Sequence, residues 1–198
     1  MNDNDGNIYK TVTIGTQTWM AENLRTTTYN DGTPIPNVTD KDIWLGMKTG
    51  AYCYHNNTTD VDSILTFGSL YNWYTVNTGK LAPIGWHIPT KDEFEELISC
   101  FEDNFTAAYK LKEASTTHWN VSYGSLAYNE SGFTALPGGF RGTEDYLSIG
   151  YMGSFWCSTE NIDHNDAGCN YSFYDGSNNI EDGSFYKYAG ISVRCIKD

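Results

Sequence analysis

Positively charged residues are scarce in this chain. Its 198 residues include 12 Lys and Arg against 25 Asp and Glu, which gives a formal net charge of −13 at pH 7. Nucleic-acid binding requires clusters of Lys and Arg that contact phosphates, and anionic membrane surfaces attract basic segments. We therefore expect no nucleic-acid partner and no anionic membrane. The acidity is compatible with calcium, a neutral sugar or a basic protein, and it does not choose among them.

Long apolar stretches are also missing. No segment approaches the run of about 20 apolar residues that spans a bilayer, so we expect no membrane insertion of this domain. The first six residues contain no Lys or Arg and no apolar run, unlike a secretory signal peptide. We expect either that the protein stays inside the cell or that an export segment has been removed. In the second case Met1 need not be native.

Motifs for metal binding and catalysis are absent as well. The five cysteines form no C-x-x-C pair, and the four histidines do not lie at zinc-ligand spacings. The chain shows no Ser/His/Asp order of a hydrolase and no phosphate-binding loop. The sequence therefore favours a protein that is not an enzyme and has no structural zinc. The odd number of cysteines leaves at least one thiol unpaired.

The chain does contain enough apolar and aromatic residues for a folded core. Apolar residues make up 39% of it, aromatic residues 15% and charged residues 19%, whereas disordered chains are poor in aromatics and rich in charge. At this length we expect one well-buried core, or at most two small ones. No linker rich in proline and serine interrupts the chain, so we predict a single domain over residues 1–198.

Several short segments carry strand patterns. Residues 7–14 alternate between polar and apolar, which predicts a half-buried strand. Residues 18–24 fit either a second strand or a short helical turn. We also predict a short strand within residues 50–54 and a buried aromatic segment over residues 68–74. After residue 120 we predict short β-like pieces to the end of the chain.

One helix is marked clearly by its first turn. Thr90 and Glu93 have the spacing of a capping box, in which each side chain bonds the backbone N–H of the other residue. The apolar residues that follow at i, i+3, i+4 and i+7 form one stripe: Phe94, Leu97, Ile98 and Phe101. Cys100 lies beside this stripe, within reach of the interior. We predict a second, shorter helix over residues 107–114.

The last third combines a rigid frame with a polar insert. Segments rich in Gly and apolar residues lie at 132–142, 155–160 and 190–195, and residues 161–182 between them are rich in Asn, Asp, Ser, Gly and Tyr. Loops on rigid scaffolds commonly carry binding, and paratopes of antibodies use Tyr, Ser, Asn and Gly. We therefore predict binding loops over about residues 141–189. The alternative is a solvated surface with no ligand.

The predicted contacts with a ligand are polar and aromatic side chains of this region. They are Asp145, Tyr146, Ser148, Tyr151, Ser154, Asn161, Asp163, His164, Asn165, Asn170, Tyr171, Ser172, Tyr174, Asp175 and Asn178. Two clusters, residues 163–166 and 175–179, also offer the oxygen ligands that calcium prefers, although such clusters are usually turns. Calcium stays open as a cofactor, and we predict no other.

Seven segments, in order along nearly the whole chain, carry a family resemblance. They are TVTIGTQTWMAENL at 11–24, YNWY at 71–74, GWHIPT at 85–90, LKE at 111–113, HWN at 118–120, NESGFTALPGG at 129–139 and SVRC at 192–195. In these segments the chain closely resembles the Fibrobacter succinogenes major paralogous domain family, which is common in surface proteins of Bacteroidetes. The resemblance implies an α+β fold, related to C-type-lectin-like domains and formylglycine-generating enzymes. One or two helices would pack on short mixed or antiparallel sheets with long irregular loops.

The resemblance also bears on the tryptophans and cysteines. It implies that Trp86, Trp119 and Trp156 belong to the frame. In C-type-lectin-like domains a helix cysteine pairs with one on the last strand, and a second pair lies near the ligand loops. By this likeness the two disulfides would be Cys100–Cys195 and Cys157–Cys169. Two alternatives remain open, namely Cys53 as the partner of Cys195, and reduced thiols at Cys100 and Cys195.

The resemblance finally implies a function. We expect a non-enzymatic ligand-binding or adhesion domain, displayed outside a Bacteroidetes-type cell or carried by a phage, with a protein or glycan ligand. The tail residues are those reached by adenine substitutions in Asn codons, as in variable proteins diversified by retroelements, although ordinary loop drift gives the same composition. The alternatives are a structural or carbohydrate-binding surface lipoprotein module and an enzyme of the formylglycine-generating type. The last is disfavoured, because residues 141–144 lack the Arg-Gly-Gly-Ser context of that enzyme's redox cysteine.

Overall fold

Short strands and short helices alternate along the chain, which gives the α+β class that the sequence predicts. The computed structural model describes residues 1–114, 116–120, 127–161, 164–177 and 179–198. The helices in these ranges are α1 (Lys41–Gly46), α2 (Val61–Phe67), α3 (Trp73–Val76), α4 (Lys91–Ser99) and α5 (Asn104–Leu111), with a 3₁₀ turn at His55–Asn57. The strands are β1 (Thr11–Ile14), β2 (Gln17–Met20), β3 (Tyr52–Cys53), β4 (Leu70–Tyr71), β5 (Trp86–His87), β6 (Gly138–Arg141), β7 (Tyr146–Ile149), β8 (Met152–Glu160), β9 (Ala167–Tyr174), β10 (Glu181–Tyr186) and β11 (Ile196–Lys197).

The strands form three sheets. One has the order β1-β2-β11-β5, a second has the order β10-β9-β8-β6-β7, and the third pairs β3 with β4. Ile196 of β11 lies opposite Trp19 of β2, so the two ends of the chain share a sheet. In the five-stranded sheet β6 and β8 are parallel, and the other neighbouring strands are antiparallel.

The N-terminal alternation forms an antiparallel hairpin of β1 and β2. Gly15 in its turn has φ +58°, a conformation that glycine adopts at no steric cost. Trp19 and Met20 are fully buried. Residues 18–24, for which the sequence left strand and helical turn open, therefore begin as a strand.

Helix α4 begins as its first turn predicts. The Glu93 backbone N–H donates to Thr90 Oγ1 at 3.3 Å, and the Thr90 N–H donates to Glu93 Oε2 at 2.7 Å, which confirms the capping box. Phe94 and Leu97 of the stripe are fully buried. The second predicted helix exists but lies earlier, at Asn104–Leu111, because the side chain of Asp103 caps it by accepting the Thr106 N–H at 2.7 Å.

Apolar packing covers both faces of the five-stranded sheet at its central strand β8. Phe155 on one face belongs to a cluster with Phe94 and Leu97 of α4, while Trp156, which points to the opposite face, belongs to a cluster with Tyr71. The Trp156 indole N–H donates to the Tyr71 carbonyl at 2.8 Å. Around β8 the sheet is therefore a central layer that is packed on both sides.

Two of the three frame tryptophans that the resemblance implies are buried. Trp119 is 5% exposed and Trp156 is 0% exposed, which agrees with a packing role for both. Trp86 is only partly buried against the cluster that contains Trp156. Its frame role is therefore weaker than that of the other two.

Two arginines are fully buried and serve the fold. Arg194 donates to Asn23 Oδ1 at 3.0 Å, to the Thr134 carbonyl at 2.6 Å and to the Phe133 carbonyl. Arg141 donates to the carbonyls of residues 38 and 39 at 2.6 and 2.8 Å. Both guanidinium groups therefore bond backbone carbonyls inside the molecule, and two of the few positive charges of the chain are not available at its surface. Among the described residues, no helix combines the length and the apolar character that a bilayer crossing demands.

Candidate ligand-binding face

Residues 161–182, whose composition predicts a polar insert, include all of one strand and the start of another. β9 occupies Ala167–Tyr174, and β10 begins at Glu181. In β9, Cys169, Tyr171 and Phe173 point into the same cluster as helix α4, with the period of two that a strand requires. The sequence predicts short β-like pieces from residue 120 to the end, and β9 is one of them, so a regular strand interrupts the binding loops predicted over about 141–189.

Four predicted ligand contacts are buried inside this sheet. Ser154, Asn170, Tyr171 and Ser172 are each at most 2% exposed. The hydroxyls of Ser154 and Ser172 are 2.6 Å apart, and Asn170 Nδ2 donates to Ser172 Oγ at 2.8 Å. These three side chains are bonded to one another across β8 and β9, while Asn170 Oδ1 accepts no hydrogen bond from a described residue. Their assignment as surface contacts is wrong, since their side chains do not reach the surface.

Tyr171 is a packing residue. Its ring stacks on Phe94 of α4 with centroids 4.6 Å apart and planes inclined by 24°. Burial raises the pKa of the Tyr171 phenol well above its usual value, and nearby carboxylates add to this. The prediction that Tyr171 contacts a ligand is therefore replaced by a role in joining α4 to the sheet.

The remaining predicted contacts do not form one surface. Tyr151 and Asp175 meet where β8 begins, and the Asp175 N–H donates to the Tyr151 carbonyl at 2.9 Å; the partly buried Tyr174 ends β9 beside them. Asn161, His164 and Asn165 lie beyond the other end of β8. A strand of this length spans about 30 Å. No single small ligand contacts both ends of β8.

A third set lies on β7, at the edge of the sheet opposite β10. Asp145 is exposed and Ser148 partly buried. The hydroxyl of Tyr146 donates to Asn57 Oδ1 at 2.6 Å, and its ring centroid is 5.3 Å from that of His55. Tyr146 therefore fastens the 3₁₀ turn to the sheet and is not free to meet a ligand.

An open groove of about 320 Å³ lies beside β10. We call it the β10 groove, and its lining residues are His164, Asp166, Ala167, Ser184 and Tyr186. The His164 N–H donates to Asn161 Oδ1 at 3.2 Å, so two of the predicted contacts shape the turn at its mouth. Asp163 and Asn178, two further predicted contacts, lie outside the described residues.

Aromatic rings extend the β10 groove along the surface. Tyr186 is 55% exposed, and its ring stacks on that of Tyr188 with centroids 5.2 Å apart and planes inclined by 10°. Lys187 between them turns the other way, pairs with Glu160 and places its ammonium 4.5 Å from the ring centroid of Trp73. The two tyrosines therefore form a flat platform that no neighbouring cation occupies among the described residues.

Strand β10 is attached to the molecule along one edge. Its single strand neighbour in the described part of the chain is β9, and Lys91 at the start of α4 pairs with Asp182 at 3.0 Å. Of the residues that line the β10 groove, the sequence predicts His164 as a contact but not Asp166, Ser184 or Tyr186. The segment EDGSFY at 181–186 has no alternation of polar and apolar residues, so its adjacent aromatic residues Phe185 and Tyr186 were the available signal.

One of the two implied disulfides is present. Cys157 of β8 and Cys169 of β9 are bonded, with Cα atoms 5.4 Å apart. Both are buried in the cluster beneath α4. The bond therefore joins the two central strands that support β10.

The other implied disulfide, Cys100–Cys195, is not formed, and its prediction is wrong. Cys100 caps the C-terminal end of α4, is exposed, and places its thiol 3.4 Å from the Glu96 carbonyl. Cys195 is 0% exposed in the cluster around Trp156. The residue at position 100 points off the apolar stripe of the helix, which is why it misses the interior. Cys53, the rival partner of Cys195, is also free and lies in a separate cluster.

Metal ligands do not converge in the part of the chain that the structure describes. No group of three His, Cys, Asp or Glu side chains there could hold a metal ion. Of the two segments considered for calcium, each includes a residue outside that part, Asp163 in one and Asn178 in the other. Calcium binding therefore stays a prediction.

Comparison with known proteins agrees with the resemblance seen in the sequence. Residues 12–197 match the family described as the Fibrobacter succinogenes major domain. No curated protein and no solved structure matches the chain. Because the match covers nearly the whole length, the chain belongs to the Fibrobacter succinogenes major domain family.

Proposed function

We propose that the chain is a non-enzymatic ligand-binding or adhesion domain that takes a protein or glycan ligand at the β10 groove. The observation that carries this proposal is a contrast within one sheet. Five of the six residues of β10 are exposed, whereas seven of the eight residues of β9 are buried. A surface strand on a rigid neighbour can present side chains to a ligand without contributing much to the core.

The side chains of the β10 groove supply hydrogen bonds and one stacking surface. Ser184 offers a hydroxyl, Asp166 a carboxylate, and His164 a ring that both donates and accepts. Tyr186 adds exposed aromatic area at low entropic cost. Acidic residues in and beside the groove favour a neutral or basic ligand over an acidic one; they are Asp166, Glu181 and Asp182.

We extend the proposal to the setting of the domain. It is displayed outside a Bacteroidetes-type cell or carried by a phage of one, and its fold is of the C-type-lectin-like kind. The composition of residues 161–182 is consistent with diversification by a retroelement. A neighbouring reverse-transcriptase gene, together with an imperfect repeat of the coding sequence for this tail, supports that origin; a genome with neither contradicts it.

A structural or adhesive module that takes no small ligand is the second candidate. The outer edge of β10 favours it, because an edge strand offers backbone groups to which another chain adds a strand. Glu181 and Asp182 on that strand oppose pairing with a second copy of the chain. Under this candidate the partner is an extended segment of a different protein.

An array of glycans and surface proteins tests the proposal. The wild-type domain is applied beside Tyr186→Ala, which removes the aromatic platform, and Tyr151→Ala, which alters the other end of the sheet. Tyr128→Ala is the matched control, since Tyr128 is similarly exposed and does not line the β10 groove.

We expect Tyr186→Ala to weaken capture roughly tenfold or more, as for an aromatic hot spot, while Tyr151→Ala and Tyr128→Ala bind as the wild type does. Loss of capture in Tyr151→Ala alone would place the ligand at the opposite end of β8 and contradict the proposal. Binding to extended peptides only, unaffected by Tyr186→Ala, would favour strand addition.

A further inference from the structure

A second groove, of about 510 Å³, shares no residue with the β10 groove. It lies where the N-terminal hairpin, the end of α2 and the segment after α5 meet. Among its lining residues are Lys10, Glu22, Leu65, Glu113, His118 and Leu136. We call it the Glu113 groove. Nothing in the proposed function uses it.

A carboxylate and an imidazole are held together in the wall of the Glu113 groove. Glu113 Oε1 lies 2.8 Å from His118 Nδ1, and the two side chains are 15% and 29% exposed. The Glu113 N–H donates to the Ala135 carbonyl at 3.0 Å, and the His118 ring meets Phe67 edge-on with centroids 5.4 Å apart. Backbone pairing and ring packing therefore fix both groups in place.

The second oxygen of the Glu113 carboxylate lacks a donor. Glu113 Oε2 is buried and accepts no hydrogen bond from any described residue. Leaving a buried charged acceptor unpaired costs more than the usual hydrogen bond contributes. A ligand that brings a donor to this oxygen removes that cost, and a charged donor does so most strongly.

The rest of the groove fits a cation on an apolar chain. Glu22 adds a second carboxylate, which accepts the Lys10 backbone N–H at 2.7 Å. Leu65 and Leu136 supply apolar walls. The Lys10 side chain is at the exposed rim, and the buried Arg194 donates to Asn23 and to backbone carbonyls. Neither cation bonds to Glu113.

We infer that the Glu113 groove is a second binding site, for a ligand that carries an ammonium or guanidinium group on a short apolar chain. The cationic group pairs with the carboxylates of Glu113 and Glu22, and the chain packs against Leu65 and Leu136. A lysine or arginine side chain of a partner protein has this chemistry, and so does a free alkylamine. The inference does not depend on the β10 groove.

Amide and imidazole NMR signals of the ¹⁵N-labelled protein test this site. The probes are the blocked amino acids N-acetyl-lysine methylamide and N-acetyl-arginine methylamide, with uncharged N-acetyl-norleucine methylamide as their isostere. Cadaverine and a blocked Gly-Gly-Lys-Gly-Gly peptide form two further arms, which distinguish a free amine from a peptide side chain. We expect the basic probes to shift the signals of Glu113, His118 and residues 132–136, and norleucine to leave them unchanged.

Two variants and a control complete the test. Glu113→Gln removes the charge of the acceptor and is expected to weaken the basic probes about tenfold. Glu130→Gln is the matched control, because Glu130 is exposed, pairs with Lys110 at 3.1 Å and does not line the groove. If Glu113→Gln disturbs folding, Glu22→Gln tests the same groove and is expected to weaken the basic probes as well. Three results would overturn the inference. They are equal signal shifts with the norleucine probe, equally weakened binding of the basic probes in Glu130→Gln, and Glu113 and His118 signals that do not shift.

Discussion

Strands β9 and β10 have similar compositions and opposite environments. Both combine glycine and small polar residues with tyrosine and phenylalanine, as AGCNYSFY and EDGSFY. β9 lies between two strands, is covered on both faces and is bonded to β8 through Cys157 and Cys169. β10 has one strand neighbour among the described residues and is mostly exposed.

The comparison shows that composition alone does not separate a paratope from a core strand. In β9 these residue types are inside the molecule: Asn170 and Ser172 bond each other and Ser154 of β8, and Tyr171 stacks on Phe94. Ser and Tyr in β10 are exposed, because the described elements that pack on both faces of β9 leave most of this edge strand uncovered. The position of a strand in the sheet order decides which role its residues take.

The largest expected effect separates two tyrosines on these neighbouring strands. Tyr171→Ala empties a buried site stacked on Phe94, and we expect a loss of about 3–5 kcal/mol in the free energy of unfolding. Tyr186→Ala removes an exposed ring, and we expect a change within about 0.5 kcal/mol. Denaturant unfolding measures both. Equal losses in the two variants would contradict the division between β9 and β10.

The disulfide should contribute nearly as much to the stability of β9. Replacing Cys157 and Cys169 together by alanine releases a bond that links positions 12 residues apart, and we expect about 2–3 kcal/mol less stability. Cys100→Ala is the control, because Cys100 is free and exposed. An unchanged melting temperature in the double variant would show that packing alone holds β9 in place.

A smaller effect concerns pH and lies outside both strands. His87 bonds Glu93 at 2.8 Å and Asp198 at 2.7 Å. Burial lowers the pKa of His87, but the hydrogen bonds to Asp198 and Glu93 outweigh it, so its folded pKa is raised above the usual value. The resulting stability is fully present below the unfolded pKa of about 6.5 and is lost as pH rises through the folded pKa.

The effect of His87 is measured as a difference between two proteins. Burial lowers the pKa of His55, so the contribution of this residue to stability changes with pH in the opposite direction. That contribution is the same in wild type and His87→Gln, and it cancels when the two proteins are compared at each pH. We expect the stability advantage of the wild type to shrink as pH rises above about 6.5. The stability difference between the two proteins should be modest, since the His87 side chain is 38% exposed. A constant difference across this range would show that the His87 contacts carry no charge.

Short sequence patterns predict those elements of the fold that are determined by residues close together in the chain. Helix α4 has its cap and its apolar stripe within a dozen residues, so Thr90, Glu93 and Phe94 suffice to predict it. Helices α1 and α2 were missed, because they are short and have one buried residue or none. Their caps, Asp40 and Asp60, were the available signals.

The candidate site was harder to predict because it depends on strand order. The composition predicts His164, Tyr171 and Ser172 alike as ligand contacts, but His164 is exposed whereas the sheet buries the other two. No pattern in the sequence indicates that β9 is a central strand of the sheet and that β10 is an edge strand. The Glu113 groove could not be predicted from the sequence either, because its walls come from segments more than 100 residues apart, such as those of Lys10 and Glu113.

A footprint of bound ligand on the backbone tests the central claim most directly. With a ligand captured on the array, hydrogen–deuterium exchange is followed by mass spectrometry in the free and the saturated protein. We predict slower exchange confined to residues 164–167 and 181–188, which form the β10 groove and its aromatic platform. Slower exchange at residues 145–151 and 174–177 instead, with residues 181–188 unchanged, would contradict the account.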